Sequence, residues 1–193
     1  MRAIGILLFA PLLTCGGLPI DYSYGISPNF TPHQQELIIE ALHDWENVVN
    51  DKSILNITNI HVGGKCDGGG QGDTCIILLS EAIPRVANVC NQQYELGCCV
   101  RDASAGEDDQ FPQIVMDTDT IASYGDKIFG SNDALFKETA LHEIGHSLAL
   151  AHHSSKVLMN PVAKYASPTI TCDDLQQFYS LRGIHRDCPQ GLY

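Results

Sequence analysis

The chain has 193 residues, enough for one domain with a substantial core and too few for a second of ordinary size. Its 11 Lys and Arg stand against 23 Asp and Glu, and a formal net charge of -12 repels a phosphate backbone, which argues against nucleic acid as a partner. A single acidic unit, acting as a monomer, is the expectation.

Met1 and Arg2 precede the apolar run from Ala3 to Leu13, a charged start followed by a stretch too short to span a bilayer, as in an export signal over residues 1–17. Leu12-Leu13-Thr14-Cys15 resembles a bacterial lipobox, which would leave a lipid on Cys15 and anchor the protein at the cell envelope. Cleavage near Gly17 would instead release it, so secretion and lipid anchoring are both open. The other seven cysteines lie at 66, 75, 90, 98, 99, 172 and 188, and an oxidising compartment makes disulfides their expected state. Proximity along the chain suggests Cys66 with Cys75, Cys90 with Cys98 or Cys99, and Cys172 with Cys188.

Within residues 18–193, Thr31-Pro32-His33-Gln34 reads as a capped helix start, with Thr31 as N-cap, Pro32 at the first helical position and Gln34 closing a capping box. The helix is predicted to reach about Asn50, with Ile38, Ala41, Leu42, Trp45, Val48 and Val49 on one buried face. β-rich runs follow at Ile54 to Val62, Cys75 to Leu79 and Gln113 to Asp117, separated by the Gly63 to Gly72 and Asp102 to Asp109 loops. A second helix is predicted from Asp133 to Leu150. A last one runs from Asp173 to Leu181, with Asp173 and Asp174 favourable to the dipole in its first turn and Gly183 beyond its end.

His142-Glu143-Ile144-Gly145-His146 lies inside the second of these helices, so its two imidazoles share one face, a turn apart, and can grip one cation. Glu143 sits beside the first ligand, placed to take a proton from a water activated by the metal without itself ligating. A catalytic zinc needs a third protein ligand and an open position, and His152 lies six residues past His146, beyond a turn in the chain. His33, His43, His61 and His185 share no ligand spacing and read as ordinary surface or core residues.

The long zinc motif, together with Val157-Leu158-Met159-Asn160-Pro161, resembles the metzincin pattern of H-E-x-x-H-x-x-G-x-x-H followed by a Met-turn. Within the metzincins the chain most resembles the matrixins: Tyr24-Gly25-Ile26 looks like their first strand, Trp45 sits where their first helix often carries Trp, and Thr171-Cys172-Asp173-Asp174-Leu175 with Leu181-Arg182-Gly183 resembles their last helix. The resemblance implies an α+β fold, a single metzincin-like domain with a twisted mixed β-sheet, three main helices and a Met-turn. It also implies a secreted zinc endopeptidase acting on protein or peptide, with one catalytic Zn2+, Met159 as an apolar floor beneath it, and Pro161, Val162 and Ala163 walling the pocket for the side chain after the cut bond. Related enzymes bind calcium in acidic loops, and Asp102, Glu107, Asp108, Asp109, Asp117 and Asp119 could serve, although their order does not match an EF-hand and a solvated loop is the plainer reading.

One position departs from the pattern, because the family's glycine is Ala149 here. A side chain there opposes the left-handed turn that ends the helix, and a helix running on would misplace His152 and bring His153 forward as its substitute. On that reading the alternative is a zinc-binding interaction module without catalysis.

Overall fold

The computed structural model describes residues 21–63, 73–78, 96–100, 113–128, 130–163 and 166–192. The export segment, the calcium candidates between 102 and 109, and the cysteines at 66 and 90 lie outside the described residues.

The architecture is α+β, with the mixed sheet expected. Among the described residues five strands, β1 (Asp21–Ile26), β2 (Asn56–Val62), β3 (Asp73–Leu78), β4 (Gly97–Val100) and β5 (Gln113–Met116), lie in the order β2-β1-β3-β5-β4. All neighbouring pairs are parallel except β4 with β5, where Cys98 faces Val115 and Cys99 faces Ile114. β4 is the outermost described strand on its side. This strand is not legible in the sequence, because the four residues of Gly97–Val100 are too short for a period-two pattern to stand out.

Among the described residues four helices accompany the sheet, α1 (Pro32–Val49), α2 (Thr118–Ile128), α3 (Asn132–Ser147) and α4 (Cys172–Leu181), against the three foreseen. α2 is the addition. Asp117 starts it by accepting from the Thr120 backbone N–H at 2.9 Å and the Thr120 hydroxyl at 2.8 Å, a local capping signal hidden within what read as the end of a strand. α1 begins as foreseen, with Thr31 and Gln34 exchanging the reciprocal bonds of a capping box. It ends at Asn50 in the left-handed region.

α1 and α3 pack against each other, and the register is set by Trp45, wholly buried, whose indole N–H donates to the Leu141 carbonyl at 3.0 Å. Ile38, Ala41 and Leu42 of α1 join Leu135, Leu141 and Ile144 of α3, Leu158 and Met159 of the following loop, and Leu175, Phe178 and Tyr179 of α4 in one continuous core. Burying large apolar side chains of this kind is worth roughly 1.5–3 kcal/mol each, so the helix that carries His142 and His146 is gripped from several sides. Cys172 and Cys188 form the foreseen disulfide, tying the start of α4 to the C-terminal segment. Cys98 is disulfide-bonded, and Cys99 packs against the core. Among the described residues no helix is long and apolar enough to cross a membrane.

Candidate metal centre

α3 starts at Ser131, whose hydroxyl accepts from the Ala134 backbone N–H at 3.0 Å, and it stops at Ser147, three residues before the predicted end. The stop is made at Ala149, which takes a φ of 76°. The Leu150 N–H then reaches back to the Gly145 carbonyl at 3.0 Å and the Ala149 N–H to the His146 carbonyl at 2.9 Å, a helix-ending arrangement that glycine normally supplies. Alanine pays about 1 kcal/mol for a left-handed backbone. The packing of Leu148 and Leu150, both buried on the core, outweighs it. The helix continuation that would have displaced His152 is therefore absent.

The chain turns and brings His152 back over the helix. His142 Nε2 lies 3.3 Å and His146 Nε2 3.0 Å from His152 Nε2, and the ligand atoms of these three residues all fall within 4.8 Å of one another. His153 does not join them: its Nδ1 pairs with the Ser155 hydroxyl, and its backbone N–H donates to the Met159 carbonyl.

Tautomers follow from the partners. His142 Nδ1 is 2.8 Å from the Leu158 carbonyl and His146 Nδ1 is 2.9 Å from the Leu150 carbonyl, and a carbonyl can only accept. Each ring thus spends its proton on the backbone and turns an Nε2 lone pair toward the common centre. Burial, with the neighbouring His146, pushes the His142 pKa down to about 3, and burial lowers those of His146 and His152. Three neutral imidazoles with ligand atoms within 4.8 Å of one another make a donor set for a metal cation, graded from buried His142 to exposed His152, so the centre opens to solvent on one side.

Glu143 is 4% exposed and lies against the edge of the sheet. A Cβ on Gly97 would stand 3.0 Å from Glu143 Cγ, 3.2 Å from Thr139 Cγ2 and 2.9 Å from the Val115 carbonyl, so only glycine lets β4 approach the helix this closely. Met159 is fully buried against α3, where a Cβ on Gly145 would stand 2.5 Å from its Sδ. Of the proposed pocket residues, Pro161 and Val162 are exposed and Ala163 is half-buried against the core, just past the Met159 turn.

Two residues of this neighbourhood were read from sequence only as helix material. Asp174 is 2% exposed and accepts from the backbone N–H groups of both Leu158 and Met159, each at 3.1 Å. Gln177 accepts from the Ala151 N–H at 3.2 Å. Nothing in the local sequence marks them, since their partners are backbone groups more than a dozen residues away.

These features define a mixed-sheet α+β fold with a three-histidine centre on a helix and the turn that follows. No family model matches the chain, and no curated protein matches it in sequence. In structure it is similar to metalloproteinase-II from Bacteroides fragilis, with a TM-score of 0.52 and 13% identity, over 90% of this chain and 55% of that one. The chain thus spans about half the length of this neighbour. At that identity what the two share is the fold.

Proposed function

We propose that the protein is an exported zinc-dependent endopeptidase in which His142, His146 and His152 hold the metal and Glu143 is the general base. The observation that carries this reading is the convergence of three imidazole Nε2 atoms, two of them held as acceptors by backbone carbonyls, on a point open to solvent. The donor set suits zinc: nitrogens around a tetrahedral ion at about 2.05 Å lie roughly 3.3 Å apart, and the two separations to His152, 3.3 Å and 3.0 Å, are near that value. A structural zinc normally takes four protein ligands, whereas three with an open side is the catalytic pattern.

Zinc bound there would supply Lewis-acid polarisation of a carbonyl and an acidified water. Glu143, one residue after His142 on the helix, takes the proton of the attacking water and returns it to the departing amine nitrogen, so no net proton is left on the enzyme. The outer side of β4, the last described strand of the sheet, lies beside Glu143 at Gly97, and an extended peptide would pair there through its backbone. Peptide geometry, more than any single side chain, would then present the scissile bond. Pro161, Val162 and Ala163 would border the pocket for the following side chain.

Purified protein assayed on casein and on a quenched peptide library, with chelator and after zinc is restored, tests the reading directly. Cleavage abolished by chelator and recovered with zinc is expected. Stoichiometric zinc with no cleavage of any peptide would favour a binding module, and absence of zinc from active protein would refute the site.

A further inference from the structure

The two helical histidines are each backed by a peptide group, and each of those peptide groups is backed in turn by a side chain of α4. The peptide joining Leu158 to Met159 accepts the His142 Nδ1 proton on its carbonyl at 2.8 Å and donates its N–H to Asp174 Oδ1 at 3.1 Å. The peptide joining Leu150 to Ala151 accepts the His146 Nδ1 proton at 2.9 Å and donates its N–H to Gln177 Oε1 at 3.2 Å. Asp174 and Gln177 are three residues apart and so share one face of α4.

We propose that α4 sets the donor strength of His142 and His146 unequally, through two parallel peptide relays that end in a carboxylate behind one ring and in a neutral amide behind the other. The proposal rests on reading these histidines as metal ligands. Drawing density from an amide N–H toward an acceptor shifts charge onto the carbonyl of the same amide, and hydrogen bonds in such a chain strengthen one another by roughly 10–30%. A carbonyl made more negative holds the imidazole Nδ1 proton more tightly and makes the opposite nitrogen a better donor, as a carboxylate does when it touches the ring directly. Asp174 is buried and charged, and Gln177 is neutral and bonds in an exposed setting, so the stronger relay belongs to His142.

Helix capping accounts for only part of this geometry. The capping box at the start of α4 uses Asp174 Oδ2, which accepts from the Thr171 N–H at 2.8 Å and its hydroxyl at 2.7 Å and also takes the Leu158 N–H. Oδ1 is left for the Met159 N–H. Gln177 lies in mid-helix, where no cap is needed.

The test compares zinc affinity, measured by competition with a chromophoric chelator, and the downfield Nδ1 proton resonances of His142 and His146 in the zinc-loaded protein. Asp174→Asn is expected to weaken zinc roughly 10-fold, the low end for a lost outer-shell partner, and to move the His142 resonance while leaving that of His146 in place. Gln177→Glu should do the reverse at the other ring, moving the His146 resonance further downfield and tightening zinc. Gln176→Glu adds the same charge one residue away, on a side chain that bonds the Arg186 carbonyl instead, and should move neither resonance. Should Asp174→Asn fail to fold, the two glutamate variants decide the matter. Equal effects of Gln176→Glu and Gln177→Glu, or unchanged affinity and resonances in both Asp174→Asn and Gln177→Glu, would overturn the relay. A wild-type protein that binds no zinc would instead overturn the reading of the site itself.

Discussion

His146 and His152 face one another with 3.0 Å between their Nε2 atoms, although the end of a helix and a reversal of the chain lie between them. That contact exists because Ala149 accepts a backbone φ of 76°. Replacing it with the residue such a turn prefers should relieve strain, so Ala149→Gly is expected to stabilise the protein by up to about 1 kcal/mol, less the entropy glycine adds to the unfolded chain. Thermal melts of the two proteins check this. A clear destabilisation by glycine would mean the turn carries no strain.

The two adjacent histidines of the turn should separate cleanly. His152→Ala removes one of three convergent nitrogens and should weaken zinc binding severely, because two imidazoles rarely hold a catalytic zinc alone. His153→Ala loses only a surface bond to Ser155 and should leave zinc content unchanged. The reverse pattern would show that the metal is held one residue further along.

Glu143 is distinguished from the ligands by what its loss spares. Glu143→Ala should keep zinc near one per chain while peptide cleavage falls by about 10²-fold to 10⁴-fold, the usual cost of a lost general acid or base. Metal analysis and turnover on the same preparation suffice, and undiminished turnover would remove Glu143 from the mechanism.

Packing under the site is tight enough to be read by a single methyl group. Gly145→Ala would bring a Cβ to 2.5 Å from Met159 Sδ and 3.3 Å from Trp45 Cζ2, with Met159 wholly buried. Overpacking of this kind typically costs about 1–3 kcal/mol, and a smaller second substitution at Met159 should recover part of it. A denaturant titration of the single and double variants reports both effects.

Glu138 supplies a pH signature independent of zinc chemistry. It is 3% exposed, and burial raises its pKa from 4.5 to about 8. The folded protein therefore binds a proton that the unfolded chain releases, so stability falls as pH rises through this window and levels off above it. Glu138→Gln has no proton to lose: its stability relative to wild type should grow from about pH 5 to about pH 8, by a few kcal/mol at most, and then stay constant. Parallel stability curves for the two proteins would exclude a raised pKa at this position.

Local rules carried far in this chain. The first helix was legible because its capping box, its Pro32 and its apolar stripe are interactions between residues a few positions apart, and they are found as expected. The helix of His142 and His146 and their spacing were legible for the same reason, as a helix turn makes neighbours of the two residues whatever surrounds it. The disulfide of Cys172 with Cys188 followed from nearness along the chain. Tertiary packing decided the rest. Ala149 has a poor intrinsic preference for the left-handed region, and only the burial of Leu148 and Leu150 on either side determines that the helix stops there. The short strand at Gly97–Val100 has too little pattern of its own and exists by pairing with Gln113–Met116. The positions of Asp174 and Gln177 behind the histidine-bound peptides depend on where α4 docks, a contact between backbone groups that no spacing of side chains along the chain can encode.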